Sequence, residues 1–237
     1  MEGRHWLSMR EVLSPEVTVH VKGEDFFTLK THPVPFTQDE FQQLMLTHTE
    51  LVGAHFLKTF LKSMVILKNM SLILQKSCEE LVHNKDLMRH LNASAFHVVL
   101  TDPVYPCGAK LAQYLSLPAV FLRAFPCFLE FESTQCPNSS SCIPRLLTRN
   151  SDHMTFLQRV KNMLYPLTLM YSGHISLSPY ARLASEILQR EASLVDLFSY
   201  ASVWLFRGDF VLDDPRPIMP NMIFIGGIHC ANRKPLS

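Results

Sequence analysis

The chain has 237 residues, 47% of them hydrophobic and 18% charged, which suffices for a well-packed domain of ordinary to large size and excludes disorder. Its formal net charge of +1, with cations and anions interleaved, excludes nucleic acid as a partner and gives no overall attraction to an anionic membrane surface. Eight glycines and no Gly-rich phosphate loop place nucleotide binding outside this chain, and no bound cofactor is expected.

In chain order, Val17-Thr18-Val19-His20-Val21 alternates with period two and predicts a strand, as does Phe26-Phe27-Thr28-Leu29. Thr37-Gln38-Asp39-Glu40 has the capping-box form, and apolar residues then recur at helical spacing from Phe41 to Leu87, enough for two or three helices. Phe96-His97-Val98-Val99-Leu100 is a short apolar run of the kind that forms a buried parallel strand, ended by Pro103. A helix near Cys107 to Leu115 and a strand at Pro118-Ala119-Val120-Phe121-Leu122 complete a strand, helix, strand unit, for which a right-handed crossover is expected.

Cys127 to Asn150 is polar and proline-containing and predicts a long loop. Thr155 to Leu169 and Tyr180 to Gln189 are predicted helical, with Asp152 or Ser151 capping the first. Strands are expected at Ser202-Val203-Trp204-Leu205-Phe206 and Met222-Ile223-Phe224-Ile225. The longest run without Asp, Glu, Lys or Arg, Asn162 to Ala181, contains Pro166, Gly173 and Pro179, so it predicts an interfacial or core helix followed by a loop rather than a membrane span. The tail from Cys230 has linker character.

Six cysteines at positions 78, 107, 127, 136, 142 and 230 lack C-x-x-C pairs, so structural or disulfide roles are expected and no metal site. Sequons at Asn69, Asn92 and Asn138 would be glycan acceptors in a secretory lumen. Met1-Glu2-Gly3-Arg4 does not open a signal peptide, so the chain as written is expected to be cytosolic or unstable.

Two polar residues stand out. Asp102 follows a predicted strand, where ligands of open parallel sheets bind, and it equally suits a helix cap or turn. His5 has a side chain whose pKa suits a general base, and it equally suits an exposed histidine near a terminus.

Longer words carry more. His5-Trp6-Leu7-Ser8-Met9, Leu100-Thr101-Asp102-Pro103, Ala112-Gln113-Tyr114-Leu115-Ser116-Leu117-Pro118, Thr134-Gln135-Cys136-Pro137-Asn138, Ser151-Asp152-His153-Met154-Thr155-Phe156-Leu157 and Pro215-Arg216-Pro217-Ile218-Met219-Pro220-Asn221 resemble the variable, acceptor-binding half of the family 1 UDP-glucuronosyltransferases. The resemblance implies an α/β fold, the Rossmann-like N-terminal domain of a GT-B glycosyltransferase, over residues 1–230. Residues 231–237 would begin a linker toward a UDP-sugar-binding domain.

It further implies His5 as general base, Asp102 as its orienting carboxylate, and Trp6, Phe121, Phe125 and Phe128 as lining for a lipophilic acceptor. UDP-glucuronic acid would be the co-substrate, and the endoplasmic reticulum lumen or membrane the location. The family pattern also places a strand before His5 and a longer helix after it. Here four residues precede His5, and the stretch to Leu13 has room for about two helical turns, so a sheet short of two N-terminal strands is expected. Three functional expectations follow: the acceptor half of a glucuronosyltransferase, inactive alone; a noncatalytic partner in homo- or hetero-oligomers with full-length enzymes; or a truncated product without function.

Overall fold

The computed structural model describes residues 11–15, 27–40, 42–43, 56–103, 105–123, 139–145, 148, 150–208 and 216–227. The expected strand at Val17 to Val21 and the tail from Cys230 lie outside these residues. The chain divides into two compact units, Met1–His90 and Leu91–Ser237, each described by itself.

In the first unit, β1 (Glu11–Pro15) pairs in parallel with β2 (Thr28–His32), in register from Glu11 opposite Thr28 to Pro15 opposite His32. Residues 11–13, at the end of the stretch with room for a short helix, instead belong to a strand. The connection over residues 16–27 has the roughly dozen residues that a parallel crossover requires. The expected capping box is present: the Thr37 N–H donates to Glu40 Oε2 at 2.8 Å and the Glu40 N–H to Thr37 Oγ1 at 3.3 Å, starting a short helical turn.

The helical region expected up to Leu87 contains α1 (Phe56–His83) and α2 (Lys85–Ala93), parted at Asn84. Asn84 accepts the Leu87 N–H on its side chain at 3.0 Å, capping α2. Glu11 of β1 accepts from His90 Nε2 at 2.9 Å.

In the second unit, four parallel strands run in the order β3 (Val99–Thr101), β4 (Ala119–Arg123), β5 (Ala201–Phe206) and β6 (Met222–Phe224). β3 starts later than the apolar run at Phe96 suggested; His97 is exposed and stays out of the ladder. α3 (Cys107–Tyr114) joins β3 to β4 and buries Cys107, Ala109, Lys110, Leu111 and Ala112. Gly108 allows this close packing, because a Cβ there would overlap the Thr101 side chain. The helix ends in a Schellman motif: the Leu117 N–H reaches the Ala112 carbonyl and the Ser116 N–H the Gln113 carbonyl, with Ser116 left-handed at φ 55°.

The core lies on this sheet. Phe121 packs edge-on against Trp204 with centroids 4.8 Å apart, and Phe206 stacks on Trp204 at 6.1 Å. All three rings are essentially fully buried.

The two helices expected at Thr155 to Leu169 and Tyr180 to Gln189 form one, α4 (Phe156–Leu188), which runs through Pro166, Gly173 and Pro179. A proline inside a helix removes one backbone hydrogen bond, a local cost that a long helix absorbs. Thr155, rather than Asp152 or Ser151, caps it: its hydroxyl accepts the Gln158 N–H while Gln158 Oε1 accepts the Thr155 N–H at 2.8 Å. A short α5 (Leu194–Ser199), opened by a third capping box between Ser193 and Asp196, leads into β5.

Among the described residues, no helix is long and apolar enough to cross a membrane. Cys78 and Cys107 are both disulfide-bonded, whereas Cys142 is a free, exposed thiol. Cys127, Cys136 and Cys230 lie outside the described residues.

Candidate active site at the carboxyl edge of the sheet

Because β3 to β6 are parallel, their carboxyl ends share one edge, the usual ligand-binding edge of such a sheet. β3 delivers Asp102 there, and β4 ends at Arg123. The Arg123 carbonyl accepts the Arg207 N–H at 2.8 Å, which extends the β4–β5 ladder and brings Arg207 to the same edge. Beyond β6, the Ile225 N–H reaches the Phe206 carbonyl at 2.7 Å, and Gly226 and Gly227 follow, exposed, the latter at φ 77°.

Asp102 is not the cap of α3. That helix starts after Pro106 without any side-chain cap, and the Asp102 backbone carbonyl instead accepts the Tyr105 N–H at 3.0 Å in a turn. The carboxylate faces Arg123, with Nη1 3.5 Å from Oδ1. The Arg123 side chain is 17% exposed and that of Asp102 49%, so the cation is packed and the carboxylate meets solvent. Such a pair adds little stability, about 0–1 kcal/mol, but it restricts where the carboxylate points.

Arg123 was not expected from the sequence, although a cation closing the strand next to Asp102 was the available signal. Thr101 stands opposite Phe121, which puts Asp102 and Arg123 just past the last paired residues of adjacent strands.

Among the other site residues expected from the sequence, Phe121 is fully buried in the aromatic core, its ring committed to Trp204 and Phe198. His5, Trp6, Phe125 and Phe128 lie outside the described residues. Asn69 on α1 and Asn92 on α2 are exposed, and Asn138 lies outside the described residues. Among the described residues no cluster of three or more His, Cys, Asp or Glu side chains could hold a metal ion.

A parallel α/β sheet with helical crossovers and a polar residue at its carboxyl edge describes a Rossmann-like domain. Residues 7–237 match the model of the UDP-glucoronosyl and UDP-glucosyl transferase family, and the chain belongs to that family. Its α/β architecture is consistent with the Rossmann-like N-terminal domain of the GT-B fold.

Over its whole length the chain is 62% identical to UDP-glucuronosyltransferase 1A3 of Homo sapiens, 61% to UDP-glucuronosyltransferase 1A4 of Oryctolagus cuniculus and 59% to UDP-glucuronosyltransferase 1-2 of Rattus norvegicus. It covers 47%, 48% and 48% of those proteins, about half the length of the curated relatives it matches. These alignments run over 253 residues against a chain of 237, so within the matched stretch the relatives carry residues that this chain lacks. No solved structure matches the chain.

Proposed function

We propose that the chain is the acceptor-binding half of a UDP-glucuronosyltransferase, with residues 1–230 as the acceptor domain and 231–237 leading toward the part of the enzyme that holds UDP-glucuronic acid. The observation that carries this reading is Asp102, aimed by Arg123 at the carboxyl edge of a parallel sheet, in a chain of this family. In the proposed reaction the acceptor hydroxyl attacks the anomeric carbon of the donor sugar. The hydroxyl proton passes to His5, the new C–O bond forms as the bond to phosphate breaks, and UDP departs with that electron pair, inverting the anomeric centre. Asp102 orients the imidazole and stabilises the imidazolium that results.

Trp6, Phe125 and Phe128 are the apolar residues assigned to acceptor binding in this reading, whereas Phe121 is committed to the core of the sheet. Acceptors of this chemistry are lipophilic phenols, steroids and xenobiotics with a free hydroxyl. The disulfide-bonded Cys78 and Cys107 and the exposed sequon residues Asn69 and Asn92 support an oxidising lumen such as that of the endoplasmic reticulum.

Acting alone, the chain is expected to bind a simple phenol saturably and, with only one of the two substrates held in place, to transfer no glucuronate to it. Fluorescence titration with the phenol, alongside product analysis with UDP-glucuronic acid added, tests both statements; the absence of saturable binding refutes the acceptor-half reading. In a chimera carrying a relative's donor half, His5→Ala should abolish transfer while UDP-sugar binding stays near normal. Retained transfer removes His5 from the mechanism.

A further inference from the structure

The backbone of Asp102 is well held, but that does not fix its side chain. The residue follows β3, a strand of three residues at one end of the sheet order, and its carbonyl closes a turn by accepting the Tyr105 N–H at 3.0 Å. The carboxylate does not cap α3, and at 49% exposure it meets water, where a short acidic side chain has several rotamers open to it.

Arg123 is the opposite case. It closes β4, which lies between β3 and β5, and it stands in register with Phe206, whose ring is fully buried. Its carbonyl accepts the Arg207 N–H at 2.8 Å, so the backbone is still tied at the end of the ladder. The side chain is 17% exposed, and Nη1 lies 3.5 Å from Asp102 Oδ1. A guanidinium is planar, permanently charged and carries five N–H donors in a fixed fork, so once its stem is packed it presents those donors in a set direction. The restraint therefore runs from the cation to the carboxylate. A pair with one partner half open to water adds little stability, and orientation is what this one supplies.

We propose that Arg123 is a positioning residue for transfer: it holds the Asp102 carboxylate in the orientation from which Asp102 acts, and it touches neither substrate. The inference rests on the reading of Asp102 given above and adds to it a second residue on which the rate depends. A direct anion-binding role for Arg123 fits less well, because its guanidinium is packed against a carboxylate of this chain that would repel an incoming anion.

The test uses the full chain joined to a relative's donor half. Arg123→Met keeps most of the packed volume and removes the cation. Its kcat for a simple phenol is expected to fall about ten- to a hundredfold, while KM for the phenol and for UDP-glucuronic acid stays within about twofold. Arg123→Lys, which restores a cation on a stem of similar length, should recover part of that loss. Asp102→Asn should lower kcat at least as far. Adding Arg123→Met to it should reduce the residual rate by less than about twofold, because a residue that acts through Asp102 has nothing left to act on. A residue that merely supports the fold would lose the same factor in both backgrounds.

The inference alone is overturned if Arg123→Met keeps the parental kcat, if its loss recurs in full in the Asp102→Asn background, or if Arg123→Lys recovers nothing. A loss confined to KM for UDP-glucuronic acid overturns it too, by making Arg123 a donor contact. If Asp102→Asn transfers as the parent does, or if the parent chimera transfers nothing, the reading of the site is refuted and the inference falls with it.

Discussion

Replacing Asn162 by Ala should release the segment that α4 holds. The Asn162 amide donates to the Ser140 carbonyl at 2.8 Å and the Ile143 carbonyl at 2.7 Å, and its oxygen accepts the Arg145 N–H at 2.8 Å. Removing the amide strands three backbone groups at once. At a net 0.5–1.5 kcal/mol for each hydrogen bond, the loss is about 2–4 kcal/mol, and Asn162→Asp should be worse because a carboxylate oxygen would then face carbonyl oxygens. Neighbouring attachments, Lys161 Nζ to the Thr148 carbonyl at 2.9 Å and Asn150 Nδ2 to the Gln158 carbonyl at 3.4 Å, would survive, so the segment can open locally while the sheet stays folded. Two assays separate the outcomes. Urea unfolding reads a global loss, whereas tryptic cleavage after Arg145 reads local opening, which should accelerate by about thirty- to a thousandfold for the same free energy. If Asn162→Ala costs less than about 1 kcal/mol in urea and leaves cleavage at Arg145 unchanged, the buried amide is not what holds the segment.

The remaining expectations concern the crossover and pH. Gly108→Ala should cost about 1–3 kcal/mol by forcing α3 away from the Thr101 side chain; an unchanged urea midpoint would show that α3 shifts freely. Ser116→Gly should stabilise by about 0.5–1 kcal/mol, since Ser116 holds φ 55° in the Schellman turn, and a loss of stability would contradict that geometry. Burial raises the Tyr165 phenol from 10.0 to about 12. A folded-state pKa above the unfolded value means that the native state keeps the proton longer, so this contribution is complete below pH 10 and is lost as pH rises toward 12. Stability curves for the parent and Tyr165→Phe should therefore diverge only in that alkaline window, and parallel curves would refute the assignment.

What was legible in the sequence follows from how local each signal is. The unit from β3 through α3 to β4 was readable because apolar runs with a helix between them specify parallel strands without distant help. The Thr37–Glu40 box was readable because both partners lie within one turn. α4 was not, since Pro166, Gly173 and Pro179 each argue locally for a break that the helix as a whole outweighs. Its cap was misplaced by three or four residues because Ser151, Asp152 and Thr155 are all competent, and only the reciprocal bond with Gln158 selects Thr155. The strand at Glu11 was missed because its pairing partner, Thr28, lies beyond a long connection. The inward face of α4, which carries both Tyr165 and Asn162, was hidden for a related reason. The apolar periodicity shows that the helix has two faces, but which one turns inward depends on Asn162 meeting carbonyls some twenty positions away.

The same distinction separates Asp102 from its partner. Leu100-Thr101-Asp102-Pro103 was enough to put a carboxylate at the carboxyl edge, but Arg123 became relevant only once Thr101 was seen opposite Phe121. That partner alters the chemistry open to Asp102. A carboxylate already 3.5 Å from a packed guanidinium has part of its field cancelled, so it stabilises a neighbouring imidazolium less than an isolated carboxylate would. Its orientation, by contrast, is better defined, because the Arg123 side chain is only 17% exposed and anchored at the end of a central strand. The pair with Arg123 therefore suits Asp102 to fixing the position of a bound group more than to stabilising a positive charge. Anything that moves the end of β3, the Gly108 contact with Thr101 above all, then bears on the site as directly as a change to Asp102 itself.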